Sequence, residues 1–98
     1  MNDQHPYELF SHGSGGFVSF DCTGGDILSL PLLSLTRATL RTRGSRSDLV
    51  LEFETNQVTL RGSGLAGLSD HLFAARVKVI RTGKFEHCSI DGIQVVDA

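Results

Sequence analysis

Arg37, Arg41, Arg43 and Arg46 form the densest basic cluster in the chain, and Arg61-Gly62 follows them. On an extended strand Arg37, Arg41 and Arg43 share parity, so they line one face at spacings that can follow a phosphate backbone. The aromatic side chains on which unpaired bases stack are not interleaved with them. The same pattern equally describes a solvated strand face whose charges keep a sheet edge from aggregating. Arg37, Arg41, Arg43, Arg46, Arg61 and Gly62 are therefore the candidate anion- or nucleic-acid-binding residues.

Gly62-Ser63-Gly64 precedes a helical pattern, and backbone N–H groups at such a place can hold an anion beside Arg61. The plainer alternative is that these glycines turn the chain from strand to helix. The other glycine-rich stretch, His12-Gly13-Ser14-Gly15-Gly16, precedes a strand and has no Lys-Ser/Thr partner, so it fails as a phosphate loop. Four histidines and two cysteines invite a search for metal or nucleophile chemistry. His87 and Cys88 are adjacent in an expected strand and point to opposite faces. No Cys-x-x-Cys or His-x-x-x-His pair occurs, although Cys22, Cys88 and His12 can still converge in space. No acid–base pair is identifiable without a pocket. No catalytic residue, metal ligand or cofactor is assigned, and the expectation is a protein that is not an enzyme.

These residues belong to a chain of 98, expected to form a single domain over residues 1–98 with an irregular arm at 1–16. Hydrophobic residues at 40% and charged residues at 20% are ordinary globular values, which argues against disorder. The formal charge of −2 hides an asymmetry: residues 1–36 carry −4, residues 37–84 carry +5, and residues 85–98 carry −3. Such a distribution marks either an anion-binding face or ends that pair with the middle across a surface. No apolar run approaches the roughly 20 residues that span a bilayer. The start lacks the basic and apolar regions of a secretory signal, so a cytoplasmic location is expected, with the mature N-terminus of a processed form as the alternative. Two cysteines 66 positions apart make no framework, and buried free thiols in a reducing compartment are expected.

The elements that must position these groups read mainly as strands. Val18, Phe20 and Cys22 alternate with polar residues, and Thr23-Gly24-Gly25-Asp26 turns the chain into a strand at Ile27–Leu30 that Pro31 ends or marks as an edge. The apolar phase slips by one residue near Thr36-Arg37, as a β-bulge does. Arg43-Gly44-Ser45-Arg46-Ser47 is expected as a loop. A hairpin follows at residues 48–62, turning at Thr55-Asn56-Gln57. A short helix at about 65–75 has Ser63 as a candidate N-cap and packs Leu65, Leu68, Leu72 and Phe73. A strand at residues 77–81 precedes a turn at Thr82-Gly83-Lys84. Asp91-Gly92 then turns the chain between the last two strands, of which residues 93–96 are a candidate edge. Together these give a mainly β fold with one short helix: a strongly bent antiparallel sheet or small open barrel of five to seven short strands. Helix-on-sheet packing is the near neighbour.

The segment Val58-Thr59-Leu60-Arg61-Gly62-Ser63-Gly64-Leu65-Ala66-Gly67-Leu68 resembles the second motif of Sm-like proteins, an apolar strand followed by Arg-Gly and spaced aliphatics. The resemblance implies a small, strongly bent barrel that assembles into rings and binds RNA, with Arg61 and Gly62 in the loop lining the RNA site. Two functional expectations stand beside each other. One is a non-enzymatic module acting through self-association or a protein partner, by strand pairing across a two-fold or around a ring. The other is a nucleic-acid-binding module using the Arg37–Arg61 basic region.

Overall fold

The computed structural model describes residues 5–11, 16–22 and 25–98. The strands are β1 (Tyr7–Leu9), β2 (Phe17–Asp21), β3 (Ile27–Pro31), β4 (Leu35–Arg43), β5 (Arg46–Phe53), β6 (Asn56–Ser63), β7 (Val77–Arg81), β8 (Gly83–Phe85) and β9 (Cys88–Asp97). One helix, α1 (Ala66–Phe73), stands between β6 and β7, and a single 3-10 turn at Leu32–Ser34 joins β3 to β4. The strands form two sheets with the orders β1-β7-β2-β3 and β4-β5-β6-β9-β8. The fold is thus mainly β, as the alternation predicts, with no closed barrel among the described residues.

The chain crosses between the sheets three times, once through the segment that carries α1 and twice at short corners. One is the 3-10 turn after Pro31; the other is Thr82, the one residue separating β7 from β8. Apolar alternation decides which side of each strand faces inward. In β5 Leu49, Leu51 and Phe53 are buried while Asp48, Val50 and Glu52 face outward, and β6 repeats the pattern with Val58 and Leu60. Val18 and Phe20 of β2, Leu30 of β3, and Val77 and Ile80 of β7 meet them from the other sheet. Leu65, Leu68 and Leu72 bring α1 onto this core. Phe73, expected to pack with them, is 63% exposed instead.

Several sequence expectations change in detail, each for a local reason. The expected loop at 43–47 shrinks to Gly44-Ser45, because Gly44 takes a left-handed φ of 60° that closes the hairpin and lets Arg43 pair with Arg46. The next hairpin turns at Glu54-Thr55, and Asn56 and Gln57 already belong to β6. Ser63 is no N-cap: it ends β6 and shares a 2.8 Å hydroxyl–hydroxyl hydrogen bond with Ser89, while Leu65 stands at the helix start without a side-chain cap. Asp91-Gly92 does not turn the chain. The turn falls at Glu86-His87, with Glu86 at φ 55°, and β9 runs on past Asp91-Gly92 through a register shift opposite Arg61/Gly62. Within the expected irregular arm, β1 pairs antiparallel with β7. The bulge expected near Thr36-Arg37 is present, between Leu35↔Phe53 and Arg37↔Glu52. The glycine-rich residues 12–15 and the turn residues 23–24 lie outside the described residues.

Candidate functional site

The register of β4, β5 and β6 decides where the arginines go. Arg37 stands opposite Glu52 and Gln57, Thr39 opposite Val50 and Thr59, and Arg41 opposite Asp48 and Arg61. These rungs line a shallow polar depression of about 360 Å³ on the outer face of the five-stranded sheet. Arg37 and Arg41, which share parity on β4, are therefore brought together with Arg61 of β6. Arg43 and Arg46 face each other at the end of the β4–β5 hairpin. Two acidic residues, Asp48 and Glu52, sit between the arginines on the middle strand. The Arg37 Nε–Glu52 carboxylate distance is 3.8 Å, and Arg46 reaches Asp91 at 2.5 Å. Both pairs are exposed, which limits what each contributes to stability. Among the described residues no aromatic ring lines this depression. It is a salt-laced sheet face, not an uninterrupted cationic track.

Gly62 has a different role from the one its motif implies. It is buried in β6, and a Cβ there would lie 1.8 Å from the backbone oxygen of Ser89. Gly64, at φ 66°, would place a Cβ 1.8 Å from the backbone oxygen of His87. Gly62 lets the start of β9, and Gly64 the β8–β9 turn, come directly against the end of β6. The Gly-Ser-Gly run is thus occupied by packed main chain.

A second concavity, about 440 Å³, lies between the N-terminal strand and that same turn. His5, Tyr7, Leu9, Phe85, His87 and Cys88 contribute to its walls, and the His5 and Phe85 rings stack at 3.8 Å between centroids. Arg81 holds β1 in place by donating from Nη1 to the His5 carbonyl at 3.1 Å and from Nη2 to the Glu8 carboxylate. Burial pushes the Cys88 thiol above its usual range, which keeps it protonated and a poor nucleophile. Burial, and secondly the Cys88 thiol, pushes the Tyr7 phenol up as well.

The third feature is a cleft of about 450 Å³ where β3 faces β9, lined by Cys22, Asp26, Ile27, Leu28, Ile93 and Val95. Here β9 has β6 on one side from Ser89 to Asp97. On the other side β8 covers only Cys88–Ile90, through the pairs Phe85↔Cys88, Lys84↔Ser89 and Gly83↔Ile90. From Asp91 to Asp97 that side has no strand partner among the described residues. Among the described residues β4, at the opposite margin of the sheet, pairs only with β5.

Cys22 and Cys88 are free thiols lining different cavities. Among the described residues, no group of three His, Cys, Asp or Glu side chains is placed to hold a metal. No described helix is long and apolar enough to cross a membrane. Sequence reasoning missed the cleft, because taking Asp91-Gly92 as a turn split β9 and hid its length. The alternation of Ile93 and Val95 was the available signal. No protein-family model, curated protein or solved structure matches the chain.

Proposed function

We propose that this protein is a non-enzymatic module that works through self-association, with open sheet margins as its contact surfaces. The observation that carries this reading is the side of β9 from Asp91 to Asp97 that has no strand partner among the described residues, a row of main-chain donors and acceptors beside the exposed Ile27 and Val96. Such a margin recruits another strand unless something blunts it, and neither proline nor lysine occurs in this stretch. Two unpaired thiols fit a reducing compartment, so we place the protein in the cytoplasm. Size exclusion with light scattering up to high micromolar concentration tests the reading. Concentration-dependent assembly is expected; a strict monomer throughout would refute it.

A second reading is favoured by one observation, the gathering of Arg37, Arg41 and Arg61 on one sheet face with Arg43 and Arg46 at its end. This is nucleic-acid binding of the kind the Sm-like segment implies. It requires binding to short single-stranded RNA that weakens steeply as salt rises and with Arg41→Ala or Arg61→Ala. Asp48 and Glu52 on the same face weigh against it, since each cancels charge that a phosphate would otherwise meet.

A further inference from the structure

We propose that copies of this chain join head-to-tail: β4 of one copy adds to the Asp91–Asp97 stretch of β9 in the next and closes the cleft between β9 and β3. The proposal rests on the self-association reading and names its geometry.

Strand direction gives the first support. β4, β5, β6 and β9 form an all-antiparallel series of four, so β4 and β9 run in opposite senses. A copy carried forward in the same orientation therefore brings its β4 antiparallel to the preceding β9, and the sheet continues without a change of pattern. β4 is nine residues long, enough to cover the open stretch of β9.

The inward faces give the second. Leu40, Leu49, Leu60 and Ile93 form one apolar rung across the sheet, and Ala38, Leu51, Val58 and Val95 form the next. Leu49, Leu51, Val58 and Leu60 are fully buried, whereas Leu40 is 38% exposed at one end and Ile93 and Val95 open into the cleft at the other. Ala38 and Leu40 of an incoming β4 have the parity to face that cleft. The two rungs then run on through the contact.

Charge gives the third, because it separates this arrangement from the symmetric ones. An antiparallel pair of two β4 strands sets Arg37, Arg41 and Arg43 against the same arginines, and like charges directly opposite destabilise a sheet. Two β9 strands would bring Asp91 and Asp97 of both copies together, with Asp26 at the cleft. Placing β4 against β9 avoids both of these like-charge arrangements. A contact between two different patches is heterologous, so it produces a ring if the rotation closes and a filament if it does not.

The test uses two edge-blocked forms of the full chain. Leu40→Glu blocks β4 and leaves β9 intact; Val96→Lys with Asp97→Lys blocks β9 and leaves β4 intact. All three positions are exposed, and circular dichroism checks that each form folds. Arg41→Glu with Arg43→Glu is a second β4 block should Leu40→Glu fail to fold. Light scattering is expected to show each form as a monomer alone and an equimolar mixture as a 1:1 dimer that grows no further. A blocked form that still self-associates as the wild type does, or a mixture of monomers that stays monomeric, overturns the head-to-tail contact and leaves self-association standing. A wild-type chain that is itself strictly monomeric overturns both.

Discussion

Gly62 and Gly64 sit where the chain has no room for a side chain, and the clash is with main chain, which cannot rotate away. Overpacking of this kind costs about 1–3 kcal/mol, occasionally more. Gly62→Ala and Gly64→Ala are each expected at or above the upper end of that range, measured as a fall in the urea midpoint. Gly67, with open space around its Cβ position, is the internal control. The Arg-Gly-Ser-Gly run was legible as special in the sequence, but its reason was not. A glycine needed for close approach and a glycine needed to expose N–H groups look identical until the strand that crosses it is known.

Titration is also a residue-scale matter. The thiols of Cys22 and Cys88 and the phenol of Tyr7 all have raised values, with burial the largest cause in each. The folded chain then holds these protons longer than the unfolded one does. Their contribution is complete below the ordinary thiol value of about 8.5 and is lost as pH rises through it toward the folded values. Stability should therefore fall as pH rises above about 8.5 for the thiols and above about 10 for Tyr7, and Cys88→Ala should flatten the first part of the decline in urea midpoints. On the acid side Glu8 is lowered, chiefly by the hydrogen bond from Arg81. Its small, exposed contribution is present above the ordinary carboxylate range and disappears as pH falls through the lowered value.

At the scale of elements, the chain leaves α1 through Ala75 at φ 56°, a left-handed residue whose N–H bonds the Leu72 carbonyl at 3.0 Å. A Cβ in that conformation costs roughly 1–2 kcal/mol, which glycine avoids while giving back part in unfolded-chain entropy. Ala75→Gly should raise the thermal midpoint, with a net gain of about 0.5–1 kcal/mol. Elements carried by local pattern were readable in advance: the β5–β6 hairpin, α1, β7, and the slip beside Thr36. Asp91-Gly92 was misread because a turn dipeptide and a bulge use the same residues. Only the neighbouring strand, which supplies the register, tells them apart.

For the whole molecule, the β-rich class followed from alternation, but the division into two sheets did not. β7 lies between β1 and β2, parallel to β2 through Ser19↔Val79 and Phe20↔Ile80, and no local signal announces a pairing so distant in sequence. The candidate surfaces divide the same way. The parity that lines up Arg37, Arg41 and Arg43 was visible in one strand. The carboxylate of Asp48 between Arg41 and Arg61 became visible only with the register, and the β3–β9 cleft only with both sheets in place.

The position of β7 also sets an order of events for a chain emerging from a ribosome. β4, β5 and β6 are complete once residue 63 is available, and they are contiguous meander strands closed by tight turns. The other sheet must wait. Among the described residues β1 and β2 do not pair with each other but each pairs with the strand spanning Val77–Arg81, so until it arrives β2 has only β3 as a strand partner. For that interval Val18, Phe20 and Leu30 have no finished layer to enter. The N-terminal sheet is thus left half-built from the completion of β3 at Pro31 until Val77–Arg81 has been made.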